Sequence, residues 1–419
     1  MTAPISLYCG NNCRTPIALD ELVALAERRR VMRRKAFDEK RLRLIAAVAD
    51  DLLKDKSMTA EPQVRVFAFW TRKAALLSMQ RDFEARLPQG CQAFGRGLAF
   101  HLPPTNVDTL FLYSWAVACL TGNASLVRLP SQMPTIVQRV IDNYLWRAEA
   151  QDCADLFVSY PVDDAVSAAL SAVADVRLVW GGDAKVALFH GWPVRLGGKT
   201  LAFPDRRSFA VLSGDALTRL EPAGRTSLAQ RMHRDVFVFD QMACASPQAL
   251  FVVGDPAHHQ AGVAAFLKAL DAVAHSGDSQ VAPAHAIHKF VQSCEMAVVG
   301  EADRIDRLSA NLTVAYAAPA ATYRVRRIGG GFLTVRYIAS IGDLVDHIEA
   351  RDQTVTHFGI GEDELASLID RAGARGMSRL VPVGLALNFD TVWDGYNLLG
   401  ELVRLVRLHS EKPEPLKSC

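Results

Sequence analysis

From Gly95 onward, short apolar runs alternate with amphipathic stretches, and this alternation leaves the chain few folds to choose from. Residues 97–102, 125–129, 155–160 and 176–180 read as strands; 107–120, 134–150, 163–173 and 183–189 read as the helices between them. Strands separated by helices of about a dozen residues mean βαβ units and a parallel sheet, the doubly wound α/β pattern that commonly binds nucleotides at the carboxyl ends of its strands.

After Gly197-Gly198-Lys199 the alternation resumes with a different spacing: strands at 208–212, 249–253, 312–316 and 332–338, helices at 257–274 and 342–350. We read a second α/β lobe, with an extended arm at 353–358, a helix at 362–374, a strand at 379–383 and a closing helix at 398–408. Ahead of both lobes, a single helix is expected over 22–53, where Leu25, Met32, Phe37, Leu42, Ile45, Val48 and Leu52 recur near a 3.6-residue period. Its basic run, Arg28 to Lys35, reads as a solvated face rather than a targeting or phosphate-binding patch. The resulting division is 1–199 for a helical lead-in and cofactor-binding domain, 200–395 for a catalytic domain and 396–419 for a C-terminal helix and tail. A chain of 419 residues exceeds what one core supports, which agrees with two lobes.

Composition narrows the function. With 47 Lys+Arg against 45 Asp+Glu, dispersed, there is no basic face for nucleic acid. The longest apolar stretch, 107–121, contains Asp108 and falls short of the ~20 residues of a spanning helix, and no secretory signal is readable, so a cytoplasmic location is expected. Eight cysteines at irregular positions then read as free thiols rather than a disulfide framework.

Three segments carry possible chemistry. Cys244 lies in Asp240-Gln241-Met242-Ala243-Cys244-Ala245-Ser246-Pro247-Gln248, a polar loop feeding an apolar strand, where a sulfur can be exposed and its thiolate stabilised. Taken alone it reads rather as a small half-buried loop residue. Asn106, in Pro103-Pro104-Thr105-Asn106, follows a strand and either caps the next helix or offers its amide to an oxyanion. Trp180-Gly181-Gly182-Asp183 opens a helix after a strand, where two glycines let a phosphate approach backbone N–H groups. Cys9-x3-Cys13 and the His285/His288 pair lack further ligands at metal spacing, so no metal site is expected.

In order along the chain, Pro104-Thr105-Asn106-Val107, Gly122-Asn123-Ala124-Ser125-Leu126-Val127-Arg128-Leu129-Pro130-Ser131, Gly181-Gly182, Leu196-Gly197-Gly198-Lys199 and Gln241-Met242-Ala243-Cys244 together resemble the aldehyde dehydrogenase superfamily. Asp240-Gln241-x-Ala243-Cys244-x-Ser246-Pro247-Gln248 and Trp393-Asp394-Gly395-Tyr396 resemble, within it, the LuxC acyl-CoA reductase family of bacterial bioluminescence. The resemblance covers residues 90–405 and implies a Rossmann-like lobe holding NADPH, an α/β catalytic lobe and an active site in the cleft between them.

It further implies that Cys244 is the nucleophile and Asn106 an oxyanion donor, and that Arg128, Pro130, Ser131, Gly181, Gly182 and Gly197 border the cofactor, with Arg128 suited to a 2′-phosphate. Arg195 falls where oxidising members carry the glutamate that activates water, and Arg327 where a second glutamate grips the nicotinamide ribose. The implied reaction is NADPH-dependent reduction of an acyl-CoA or carrier-bound acyl thioester to an aldehyde. Its alternatives are a CoA-acylating aldehyde dehydrogenase, or an acyl-transfer subunit without hydride transfer. An acyl-protein synthetase or carrier protein is an implied partner, and a homo-oligomer the implied assembly.

Overall fold

In the computed structural model, residues 4–59, 61–104, 110–130, 133–147, 150, 153–276, 282–319 and 327–409 are described. The chain divides into two compact units, Met1–Pro204 with Tyr396–Cys419, and Asp205–Gly395.

The first unit is built on a seven-stranded sheet of β1 (Ile5–Gly10), β2 (Cys13–Ile17), β4 (Leu98–Leu102), β5 (Ala124–Leu129), β6 (Leu156–Ser159), β7 (Val176–Trp180) and β8 (Lys199–Phe203), in the order β2-β1-β6-β5-β4-β7-β8. A further strand, β3 (Cys91–Gly95), lies outside it. From β6 to β8 the neighbours run parallel, while β1 is antiparallel to both β2 and β6. The strands β4, β5 and β7 are buried along nearly their whole length, the pattern of a sheet covered on both faces. The chain order 4-5-6 runs outward on one side of β4 and 7-8 on the other, so the direction of winding reverses between β4 and β7. Such a reversal opens a crevice at the carboxyl ends of those two strands.

A buried carboxylate ties this unit together. Asp155, just ahead of β6, accepts from Trp115 Nε1 at 2.8 Å, Tyr144 OH at 2.8 Å and Ser125 N at 2.7 Å, linking two helices to the sheet. Burial raises its pKa, and the positive charge of buried Arg41 opposes that.

Two helices expected from periodicity are divided in the structure. Residues 22–53 form Leu19–Arg30 and Glu39–Lys54, with Phe37 at φ 55 between them. The N–H groups of Arg34, Ala36 and Phe37 donate to the carbonyls of Gly122, Ala93 and Leu120 instead of closing helical turns. No Gly or Pro marks the break, so the apolar period runs straight through it. Similarly, 398–408 is helical only over Leu398–Glu401; Val403–Arg407 is a strand antiparallel to β3, because a partner strand satisfies its backbone and Asn123 Nδ2 holds the Leu402 carbonyl at 2.9 Å. The strand β8 belongs to this first unit, whose N-terminal segment runs to Pro204.

The second unit has its own seven-stranded sheet of β9 (Arg207–Ser213), β10 (Pro247–Val253), β11 (Ala302–Arg307), β12 (Thr313–Ala317), β13 (Phe332–Ile338), β14 (Asp352–Phe358) and β15 (Arg379–Pro382), in the order β11-β12-β13-β10-β9-β14-β15. All neighbours run parallel except β11 against β12. Alternate residues of β9 and β10 feed opposite cores: Ala210, Leu212, Leu250 and Val252 on one face, Phe209, Val211, Ala249 and Phe251 on the other. The segment 353–358, expected as an arm, belongs to the sheet interior between β9 and β15.

Ahead of β10 the backbone is unusual: Phe239, Asp240 and Gln241 all have positive φ, at 58°, 51° and 63°. Non-glycine residues adopt this region at a cost, so neighbouring structure must hold it. The fully buried Gln241 side chain does so. Its Nε2 donates to the carbonyls of Pro247 and Phe332 at 2.8 Å each, and its Oε1 accepts from the N–H groups of Gly331 and Phe332 at 3.0 Å each. Opposite lies a turn in which Gly329, Gly330 and Gly331 also have positive φ, and a Cβ on Gly331 would lie 2.0 Å from the Asn311 carbonyl oxygen. Gln241→Leu would leave two buried N–H groups and two carbonyls without these partners. A loss of about 3–5 kcal/mol, at roughly 1 kcal/mol or more per group, is expected as a lower urea midpoint for the variant.

Candidate active site

Cys244 stands in the turn between the Gln241 clamp and β10. Its carbonyl accepts from Ser208 Oγ at 2.8 Å, and that hydroxyl in turn accepts from Thr354 N at 3.1 Å, so β9 and β14 jointly fix the cysteine backbone. The sulfur faces a charged surround. Arg327 Nη2 is 3.8 Å from Sγ; the same guanidinium donates to the Arg206 carbonyl and, through Nη1, pairs with Asp205 Oδ1 at 2.9 Å. Burial raises the thiol pKa. The Arg327 cation opposes that, Asp394 adds to it, and the backbone N–H of Arg206 pulls it back.

Asp394, at φ 48 in the Trp393-Asp394-Gly395-Tyr396 segment, receives a hydrogen bond from Gln353 Nε2, and burial pushes its carboxyl toward the neutral form. Arg379 stacks its guanidinium 4.5 Å from the Trp393 ring and donates to the carbonyls of Ala386 and Asn388, which fixes the segment from behind. All of these groups gather at the amino ends of β9, β10, β13 and β14, the end of a parallel sheet opposite to the one that usually takes ligands.

In the first unit Arg128, Gly181 and Gly182 lie at the conventional end. Arg128, near the end of β5, lies 4.5 Å over the Tyr160 ring and donates to the Tyr160 carbonyl at 3.4 Å. Gly181 and Gly182 follow β7, and Gly182 opens the helix Asp183–Gly191. Between them works a residue that the sequence reading passed over, Lys185. Its Nζ donates to the Trp180 carbonyl at 2.8 Å and the Pro103 carbonyl at 3.3 Å, bridging the ends of β7 and β4 across the crevice. Burial, and then the charge of Arg128, lower its pKa to about 8. Its only sequence signal is a lysine three residues into a helix that begins with glycine.

Two further observations suit this crevice to an anion. A Cβ on Gly182 would meet nothing within 4 Å, so the helix start is open, whereas one on Gly181 would run into Lys185 Cδ at 2.7 Å. Two cations, Arg128 and Lys185, repel each other where a phosphate would relieve them. Pro130 is exposed just beyond β5; Ser131 and Asn106 lie outside the described residues.

Gly197 does not join this group. It lies ahead of β8, at the amino end of the sheet, five to six residues from the carboxyl end that carries Gly181's neighbour Phe203. Arg195 lies at that same far end and pairs with Glu27, so its identity does not bear on water at the crevice. The match of Leu196-Gly197-Gly198-Lys199 on sequence alone set these residues at the wrong end of β8. The carboxyl end of that strand is Phe203, stacked on Trp180 at 3.8 Å, followed by Pro204.

Comparison with known proteins agrees with both units. The fold matches, at TM-score 0.68 and 13% identity over 97% of this chain and 94% of the other, aldehyde dehydrogenase 21 from Physcomitrella patens. An NAD-dependent aldehyde dehydrogenase from Sinorhizobium meliloti matches at TM-score 0.67 and 14% identity over 100% of this chain and 93% of the other. Two sequence relatives are the long-chain acyl-protein thioester reductase 2 of Photobacterium leiognathi, 26% identical over 188 residues, and the long-chain acyl-protein thioester reductase of Photobacterium phosphoreum, 27% identical over 177 residues. Those matches cover 43% and 40% of this chain and only 37% and 34% of the relatives' own length. The model of the acyl-CoA reductase (LuxC) family matches residues 22–405, nearly the whole span in which the two sheets lie, and the chain belongs to that family.

Proposed function

We propose that the protein reduces an acyl thioester to an aldehyde with NADPH, through an S-acyl intermediate on Cys244. The observation that carries this reading is the setting of the Cys244 sulfur, 3.8 Å from a guanidinium in a loop that three left-handed residues and a buried glutamine hold in place, in a LuxC-family chain. A thiolate in that setting attacks the thioester carbonyl, and the carrier thiol leaves with its electron pair, which a thiolate does without a dedicated acid. The Cys244 N–H and the amide of Asn106 serve the oxyanion, at ~3–4 kcal/mol per well-placed donor.

Hydrolysis of the acyl-enzyme is disfavoured by the groups around the sulfur. Arg327, 3.8 Å from the sulfur, takes no proton and so cannot activate water there. The acyl group therefore lives on the sulfur until it is reduced. Arg128, Lys185, Gly181 and Gly182 would hold the phosphates of NADPH, with Arg128 and Lys185 supplying the charge that favours a 2′-phosphate. When bound, NADPH supplies the hydride. The acyl group arrives on CoA or on a carrier or partner protein, the class named in the two Photobacterium relatives.

Incubation with acyl-CoA and NADPH, following aldehyde release and the mass of the Cys244 peptide together, tests the reading. Wild-type protein should show a transient acyl adduct and aldehyde, and Cys244→Ala neither. An adduct that persists without aldehyde would instead favour an acyl-transfer protein. Lys185→Met should raise the KM for NADPH by about tenfold, roughly the 1.4 kcal/mol of one charge-assisted contact, with little change in kcat. Because a lysine with a lowered pKa loses its charge as pH rises through about 8, the wild-type KM for NADPH should climb above that pH, and the Lys185→Met value should stay flat.

A further inference from the structure

With Cys244 taken as the nucleophile, Arg327 has no assigned task, yet it is the group drawn up against the sulfur. We propose that Arg327 is the positioning residue of Cys244: its guanidinium favours the thiolate form of the sulfur that attacks and stabilises the thiolate again when the aldehyde departs. This rests on the reading of Cys244 given above.

The geometry supports it in three ways. The guanidinium is held independently of the sulfur, with Nη1 on Asp205 Oδ1 at 2.9 Å and Nη2 on the Arg206 carbonyl, so its 3.8 Å approach to Sγ is imposed by the Asp205-Arg206 pair. The strap itself is fixed, since Arg207 pairs with Asp352 at 2.8 Å and Glu349 at 2.8 Å at the start of β9. Lastly, the Arg327 side chain is only 21% exposed, so its charge acts on the sulfur through a poorly screening medium.

The other charged groups at the sulfur set what Arg327 must overcome. Asp394, steadied by Gln353, faces Cys244 with an acidic group, and Asp205 draws on the guanidinium from its far side. Burial and Asp394 together favour the inert thiol; Arg327 and the Arg206 N–H favour the thiolate. A guanidinium is suited to this because it stays charged at every working pH and never becomes a competing acid. In the forward reaction the cysteine sulfur forms the C–S bond to the acyl carbon as the carrier C–S bond breaks. Hydride, which NADPH would supply when bound, forms a C–H bond at the acyl carbon; the new C–S bond then breaks, and its electron pair returns to the sulfur beside Arg327.

Alkylation of Cys244 by iodoacetamide, read from the mass of the Cys244 peptide in the full-length protein across neutral to alkaline pH, tests the proposal. Arg327→Met should move the midpoint of the rate up by about one pH unit, which slows alkylation at neutral pH about tenfold. Arg327→Lys should restore part of that rate. Arg327→Gln keeps a donor for the Arg206 carbonyl and lacks the charge, so it should behave like Met; a wild-type midpoint in Arg327→Gln would mean a purely structural strap and overturn the proposal. An unchanged midpoint in Arg327→Met would do the same. Should the Met variant not fold, the Gln and Lys pair decides alone. Aldehyde production retained in Cys244→Ala would defeat the nucleophile reading by a separate route, since the alkylation profile is measured without substrate.

Discussion

The buried amide of Gln241 is the contact on which the cysteine site depends. Three consecutive non-glycine residues with positive φ are unfavourable by themselves, while the three facing glycines take that region freely but give up conformational freedom when fixed there. Joined, they stabilise each other: Gln241 satisfies both polar groups of Phe332 and the N–H of Gly331, and the Asp240 carbonyl accepts from Gly330 at 2.8 Å. Buried Lys289 closes the far side by donating to the Gly330 carbonyl at 2.7 Å and the Ala310 carbonyl at 2.6 Å. The product is a rigid approach to β10 with Cys244 at its head, and a rigid exit from the segment that carries Arg327. Strain of this kind at the amino end of a sheet is consistent with a site that must present one sulfur in one direction.

The two units use their sheets differently. In the first, the crevice forms where winding reverses at the carboxyl ends of β4 and β7, and small residues and cations gather there. In the second, the amino ends are occupied, because the loops entering the strands carry the polar residues: Asp205 to Arg207 before β9, Gln241 to Ser246 before β10, Arg327 to Gly331 before β13. A parallel sheet offers both ends, and the chemistry follows whichever loops have the side chains to hold it.

Much of this was legible in the sequence. The strands at 176–180 and 332–338 were placed to the residue by their apolar runs, and Cys244 stood out by its flanking Asp240-Gln241 and Ser246-Pro247-Gln248. Where reading failed, a partner distant in sequence decided the outcome. Neither the break at Phe37 nor the strand at 403–407 has a local signal, since the first pairs with residues 93–95 and 120–122 and the second with residues 91–95. Gly197 and Arg195 were misplaced because a four-residue match carries no information about which end of a strand it will occupy.

The sequence by itself determined the α/β class and the two separate cores, because hydrophobic period is a property of neighbours along the chain, and its family resemblance singled out the candidate nucleophile. Only the tertiary structure decided the neighbours of that nucleophile. It brought Arg327 to the sulfur from 83 positions away in sequence, and set Asp394 and Gln353 against it, while Lys185 was drawn across the first unit's crevice to Pro103. Electrostatic environment is set by distance in space, and residues far apart in sequence acquire that distance only when the sheets form.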